Sequence, residues 1–482
     1  MRKTILAITA AVAAFSASAA GAQTWSQSAR QDLQAAHDIL RDNSPAAVVD
    51  KDSAKFRGWL DTGLQQGLAN AAKVTGQLGY ENVMRGYLTG FRDPNISFVG
   101  GVAPLAGWYA AAWPGFATTW SNGAYVVGWS RGGDKLPPIG AKLLSCDKLS
   151  AEQLAQQRLD RWEGDLTQAA DRARTAPILL WDRANPFAGI PPQKCQFDVA
   201  GRKKTYQMAY QSTAEAERRA AWQAALGKAQ GGPTMEAWGD GRYWLRLPTF
   251  VEGPEWDAFL AQVDQQLPAL QSASVVVLDM RGADDAPTSR NGYKLANRLW
   301  GPDFVLANQP QVGNAAYRVS PLNRAVYADA LNRMRTDVLS YYQVPIWEKM
   351  LADFDAALAA GQPVLQRNET RPVQDANATS AMKGKVVVLT DSFCAAQCLA
   401  LMDLFTKLPG VTHAGAATAG DTIFVGQTVA PLPSAQGSVA FGNKAWLDRA
   451  RASGPGYTPT AVYTGRWADE AAVRAFVETA AR

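Results

Sequence analysis

Acid–base and nucleophilic chemistry has few starting points in this chain. Only two histidines occur, His37 and His413, so no histidine-rich metal site can form and at most two imidazole bases exist. His37 falls in a helix-patterned stretch, where a surface or packing role is expected. His413 lies in LPGVTHAG, on a strand-like run, where an imidazole satisfied by the backbone is expected. Asp284 and Asp285 are neighbouring carboxylates without calcium-ligand spacing and read as a solvated loop; no metal and no cofactor is expected. The four cysteines, Cys146, Cys195, Cys394 and Cys398, are an even number with three possible pairings. Cys146 with Cys195 and Cys394 with Cys398 are the favoured disulfides. A regular helix would strain the closer pair, so buried free thiols are the alternative there. Trp108, Trp113, Trp120 and Trp129 crowd one region; exposed indoles stack on sugars, whereas core packing is the simpler account of such a cluster.

These residues need a scaffold, and the composition supplies one. The 482 residues are 47% hydrophobic and 19% charged, a globular balance with room for two to four domains. The formal charge is +5, too sparse for a nucleic-acid face, and no nucleic-acid partner is expected. Residues 1–22 read as an export signal: Arg2 and Lys3 start it, an apolar run follows, and Ala17-Ser18-Ala19 or Ala20-Gly21-Ala22 ends it. A periplasmic or secreted protein follows, with disulfides permitted. The uncharged stretch 94–130 carries three prolines and six glycines, which suits buried strands and turns rather than a membrane span. No transmembrane segment is expected in the mature chain.

Residues 23–98 have a helical texture, with Leu33, Ala36 and Leu40 and then Phe56, Leu60, Leu64 and Leu68 at helical spacing. Two helices joined by a loop are expected, the first ending at Asp42-Asn43-Ser44-Pro45. Residues 99–210 read as a small mixed domain, strand-rich with a helical run from Ala151 to about Ala173. Residues 211–234 read as a helical linker and 235–482 as an α/β domain. In the last, Val275-Val276-Val277-Leu278 and Val386-Val387-Val388-Leu389 have the pattern of buried parallel strands.

Four stretches of this chain together resemble the tail-specific, or C-terminal-processing, serine peptidases and their tricorn-like relatives. VVVLDMRG at 275–282 is similar to a strand ending in Asp-x-Arg-Gly before the oxyanion loop. VVVLTDSFCAAQCL at 386–399 is similar to the strand-to-helix elbow of the nucleophile. GAATAG at 415–420 is similar to a Gly-x-x-Thr-x-Gly turn, and FRDPNI at 91–96 to Phe-x-Asp-Gly-His-Leu. The resemblance implies a tail-specific-peptidase-like α/β domain, crotonase-like or ClpP-like, a PDZ-like domain at 99–210 that includes LPPIGAKLLSCD, and a helical N-terminal region.

It also places each catalytic role on a residue that cannot perform it. The serine position holds Ala396, the lysine position Asp421 and the histidine position Asn95. The oxyanion-loop region, Gly282 and Ala283, runs into two carboxylates that oppose an oxyanion. Ser392 and Cys394 are the fallback nucleophiles, with His413 near enough along the chain to be considered as a base. The resemblance therefore implies a peptidase-fold protein that binds peptide or unstructured polypeptide termini with its hydrolytic centre lost. A working peptidase with a displaced nucleophile and a glycan-binding or envelope-binding protein are the alternatives.

Overall fold

A computed structural model describes residues 24–49, 53–100, 107–229, 231–283, 288–311, 313–337, 340–369, 377–449, 451 and 453–482. The expected signal at 1–22 and the Asp284 and Asp285 pair lie outside these residues. Among the described residues no helix is long and apolar enough to cross a membrane.

The β-branched runs form the middle of a six-stranded sheet ordered Ala461–Val462, Val411–Gly415, Lys385–Thr390, Val275–Asp279, Arg242–Arg246 and Thr234–Ala237. All pairings are parallel except the last. Strand side chains alternate between faces, and here both faces are buried. Val276, Leu278, Val386 and Val388 pack beneath the helices Pro254–Gln265, Arg290–Trp300 and Gln397–Phe405. Val275, Val277, Val387 and Leu389 pack on the C-terminal helix Glu470–Ala480 through Val473 and Val477. That double burial is why both runs are apolar without a polar alternation. Register sets Asp279 beside Leu389, so the two loops that follow leave the sheet side by side.

The N-terminal region holds three helices, Trp25–Asn43, Ser53–Ala71 and Gln77–Thr89, one more than expected. The third buries Tyr80, Val83, Met84, Tyr87 and Leu88 at helical spacing in the same core, and at its Gly86 a Cβ would come within 2.4 Å of the Trp162 ring. The first helix ends as expected, with the Ser44 N–H donating to the Leu40 carbonyl at 3.0 Å. The strand Ser97–Gly100 pairs antiparallel with Gly437–Phe441. This ties the N-terminal helices to the far end of the chain, and Val439 and Phe441 join their core.

The middle region is an antiparallel sheet ordered Phe116–Ser121, Ala124–Ser130, Lys142–Cys146, Lys194–Val199 and Arg202–Gln207. Helix Glu215–Leu226 lies against its first strands and buries Ala221 and Ala225. The single helix expected from Ala151 to Ala173 is two, Ala151–Arg158 and Ala169–Thr175. Between them Arg161 takes φ 69°, and the Asp165 carboxylate accepts the Thr167 N–H at 3.0 Å, a side-chain turn that competes with helix. Trp113 is fully buried, with Trp129 stacked on it at 5.6 Å. Trp120 packs edge-on to Tyr125 at 4.8 Å and Trp108 to Trp222 at 5.9 Å. Trp113, Trp120 and Trp129 thus belong to the core of this region, and Trp108 lies half-buried at its edge.

Two disulfides are present, Cys146–Cys195 across adjacent strands and Cys394–Cys398. The closer one forms because Cys394 precedes the helix that contains Cys398. Loop-closure entropy grows with the enclosed length, about 4 kcal/mol for the separation of 49 and about 2 kcal/mol for the separation of 4. We expect Cys146→Ala with Cys195→Ala to lower unfolding free energy in urea about twice as much as Cys394→Ala with Cys398→Ala. Equal losses would contradict the ranking.

Candidate functional site

The strand Lys385–Thr390 and the helix Gln397–Phe405 are joined by a six-residue turn whose last residue, Ala396, is exposed. Ala396 has φ 48° and ψ −111°, a conformation that costs an L-residue on the order of 1–3 kcal/mol. Surrounding bonds hold it there. The Phe393 N–H donates to Asp391 Oδ1 at 2.9 Å, the Cys398 N–H to the Ala395 carbonyl at 2.9 Å, and the Ala419 N–H to the Cys394 carbonyl at 2.9 Å. The position that the resemblance assigns to the nucleophile thus carries a methyl group on a positive-φ backbone.

Neither fallback nucleophile is available in this arrangement. Cys394 is fully buried and bonded to Cys398, so it has no thiolate to offer. Ser392 is 5% exposed on the strand side of the turn. His413 meets neither of them: its Nε2 lies 2.8 Å from Thr390 Oγ1 and its ring is edge-on to Tyr457. Burial lowers its pKa to about 4, with a backbone hydrogen bond to Thr458 acting in the opposite direction. His413 is therefore a neutral, satisfied imidazole near pH 7. His37 is also mostly buried, with its ring nitrogens 2.9 Å from Asp38 Oδ1 and 3.3 Å from Asp61 Oδ1.

The oxyanion-loop amides are committed elsewhere. The Gly282 N–H donates to both oxygens of Asp391 at 3.1 and 3.2 Å, and the Ala283 N–H to the Met280 carbonyl at 3.3 Å. Gly282 has φ 86°, and a Cβ there would sit 2.8 Å from the Ala229 carbonyl, so only glycine fits. The Asp279 and Arg281 of the same motif are fully buried and paired, with Nη2 to Oδ2 at 2.7 Å. Trp244 Nε1 donates to Asp279 at 3.1 Å and Arg281 Nη2 to Glu470 at 3.2 Å. Asp391 is the residue that sequence reading missed. Its only signal is a carboxylate at the end of an apolar strand, where any loop begins.

Asn95 and Asp421, which the resemblance assigns to the two bases, meet each other. Asn95 Nδ2 donates to Asp421 Oδ1 at 3.1 Å and to Thr422 Oγ1 at 3.3 Å. Asp421 is also paired with Arg449 at 3.2 Å and closely with Arg451. Arg451 reaches on to Asp403 at 2.9 Å, which accepts the Tyr457 hydroxyl at 2.5 Å. Asp93 lies beside Asp421; its pKa is pushed up to about 6 by burial, and it accepts the Asn95 N–H at 2.9 Å and the Thr422 hydroxyl at 3.0 Å. Among the described residues no group of three histidine, cysteine or carboxylate side chains is placed to hold a metal ion.

No protein-family profile and no curated protein matches the chain. Solved structures do. Mature CPAF is 12% identical over 94% of this chain and 96% of that one, with a TM-score of 0.63. Mature CPAF complexed with lactacystin is 13% identical over 94% and 97%, with a TM-score of 0.61. A photosystem II D1 C-terminal processing protease aligns more loosely, 14% identical over 90% and 93% with a TM-score of 0.37. The chain has the tail-specific-peptidase fold that its four motifs resemble.

Burial raises the Asp391 carboxyl to about 6, its bonds from the Gly282 and Phe393 amides offsetting only part of that. A folded pKa above the unfolded value means stability present below pH 4 is lost as pH rises to about 6. At 1.36 kcal/mol per unit this amounts to about 3 kcal/mol. We expect the stability of Asp391→Asn relative to wild type, from urea unfolding, to rise by that order between pH 4 and pH 7. A difference independent of pH would contradict the buried-carboxylate account.

Proposed function

We propose that this protein is an exported peptidase-fold protein that binds polypeptide termini and does not hydrolyse them. The observation that carries this reading is the apex of the elbow, where Ala396 keeps the backbone of a nucleophile turn and offers no nucleophilic atom. The other catalytic positions support it. Asn95 and Asp421 are bonded to each other, and the Gly282 amide is bonded to Asp391. Losing members of a nucleophile and base unit leaves only what binding and oxyanion donors contribute, and here the donors are occupied too.

A peptide-binding role needs none of the missing groups. Capture as an added strand uses backbone hydrogen bonds, and capture of a terminal carboxylate uses backbone amides. The PDZ-like reading of residues 99–210 belongs to this proposal. Export rests on the charge and apolar pattern of residues 1–22 and agrees with two disulfides. A displaced-nucleophile peptidase has less support, since Cys394 is oxidised and Ser392 is buried. Glycan binding has less as well, because the crowded indoles pack on one another.

Fluorescence anisotropy with free-carboxylate and amidated peptides tests the reading. We expect dissociation constants on the order of micromolar, as for flexible ligands that lose entropy on docking, with amidation weakening binding. Serine-directed fluorophosphonates should leave the protein unlabelled. Ala396→Ser should remain inactive, because a hydroxyl without a base is a poor nucleophile near neutral pH. Labelling of wild type that disappears in Ser392→Ala would transfer the case to the peptidase reading.

A further inference from the structure

Two adjoining cavities, of about 240 and about 320 Å³, share Arg92, Asp93 and Gly454 in their walls. They are two lobes of one cleft between the N-terminal helices, the segment 165–174 and the turns at 420–424 and 453–454. The cleft adjoins the elbow: Gly420 and Asp421 line its first lobe, and the preceding residue, Ala419, donates to the Cys394 carbonyl. Arg92, on the partition, takes φ 54°, a left-handed backbone uncommon for a long side chain.

The lobes differ in chemistry. The first is lined by four carboxylates, Asp93, Asp165, Asp171 and Asp421, against two guanidinium groups, Arg92 and Arg174. Three of those carboxylates are engaged: Asp165 by Arg92, Asp171 by Arg174, and Asp421 by Arg449 and Arg451. Asp93 has no guanidinium partner. It is 8% exposed, and both of its hydrogen bonds fall on Oδ1. Oδ2 has no partner among the described residues and is left to the cleft. The second lobe is walled by Phe56, Trp59, Phe91 and Phe424, with Phe56 and Phe91 in contact at 4.8 Å between ring centroids.

We propose that this cleft selects the polypeptide, taking a lysine or arginine side chain in the acidic lobe against Asp93 and an aromatic or large aliphatic side chain in the aromatic lobe. The proposal rests on the peptide-binding reading and adds the substrate class to it. An extended chain directs residues i and i+2 to the same side about 7 Å apart, which suits two lobes with a common wall. Asp93 Oδ2 opens on the cleft, and an ammonium or guanidinium donor from the ligand can give it a charge-assisted bond. An acidic side chain there would face the Asp93 carboxylate, which no guanidinium offsets among the described residues.

The test uses the full chain and short labelled unstructured peptides that carry Lys-x-Phe, Glu-x-Phe or Lys-x-Ser at the same place. Anisotropy at low ionic strength should rank Lys-x-Phe about tenfold tighter than Glu-x-Phe and about fivefold tighter than Lys-x-Ser. The charge preference should shrink at high salt. Asp93→Asn should abolish the preference for lysine and keep that for phenylalanine. Should Asp93→Asn fail to fold, the salt dependence in the wild-type protein decides the charge term by itself. Equal binding of Lys-x-Phe and Glu-x-Phe overturns this inference and leaves peptide binding standing. Absence of binding by all three, and by the free-carboxylate library, overturns both.

Discussion

The buried Asp391 carboxylate joins the two loops on which any chemistry in this fold would depend. It accepts the Gly282 amide from one loop and the Phe393 amide from the other. Those loops are neighbours because Val275–Asp279 and Lys385–Thr390 run parallel and in register, and because Met280 continues the pairing with a bond of 2.8 Å to the Leu389 carbonyl. Loops at the carboxyl ends of parallel strands are where α/β sheets place their ligands. In this chain an internal bond lies at the same place: the Gly282 amide donates to the Asp391 carboxylate.

A strained turn is retained without the side chain it would serve. The cost of the left-handed backbone at Ala396 is met by the amide bonds around it and by the cross-link from Cys394 to Cys398. Asn95 and Asp421 bridge the N-terminal region to the α/β domain, and the Arg449, Arg451, Asp403 and Tyr457 contacts extend that bridge. Buried ion pairs of this kind owe their value to complete hydrogen bonding, since breaking one partner leaves a charge unpaired. The polar groups around the elbow thus hold the fold together, and the open space lies beside them, in the cleft lined by Asp93.

Much of the fold is legible in local pattern. The runs around Val276 and Val387 are apolar because both faces of their sheet are covered, and the stripe of Leu33, Ala36 and Leu40 marks a one-sided helix. The cysteine pairs follow from count and placement. Long-range juxtaposition is not written locally. Asn95 meets Asp421 across a separation of 326 residues, and nothing near either position announces the other. Asp391 hides for the opposite reason, since a carboxylate after a strand is the commonest loop opening. The helix Gln77–Thr89 is legible too, in the spacing of Tyr80, Val83, Met84, Tyr87 and Leu88, whereas the break near Arg161 is not, because side-chain turns at Asp165 outcompete a helix-compatible composition.

The central claim is that the elbow at Ala396 sits beside a binding cleft and performs no acyl transfer. Mass spectrometry of the protein photocrosslinked to an unstructured Lys-x-Phe peptide, with the photoreactive group beside the lysine, tests it most directly. The account predicts adducts of the full peptide mass, mapped to the segments that hold Asp93, Gly420 and Gly454. Adducts of a truncated peptide, or an acyl group on Ser392, would contradict it.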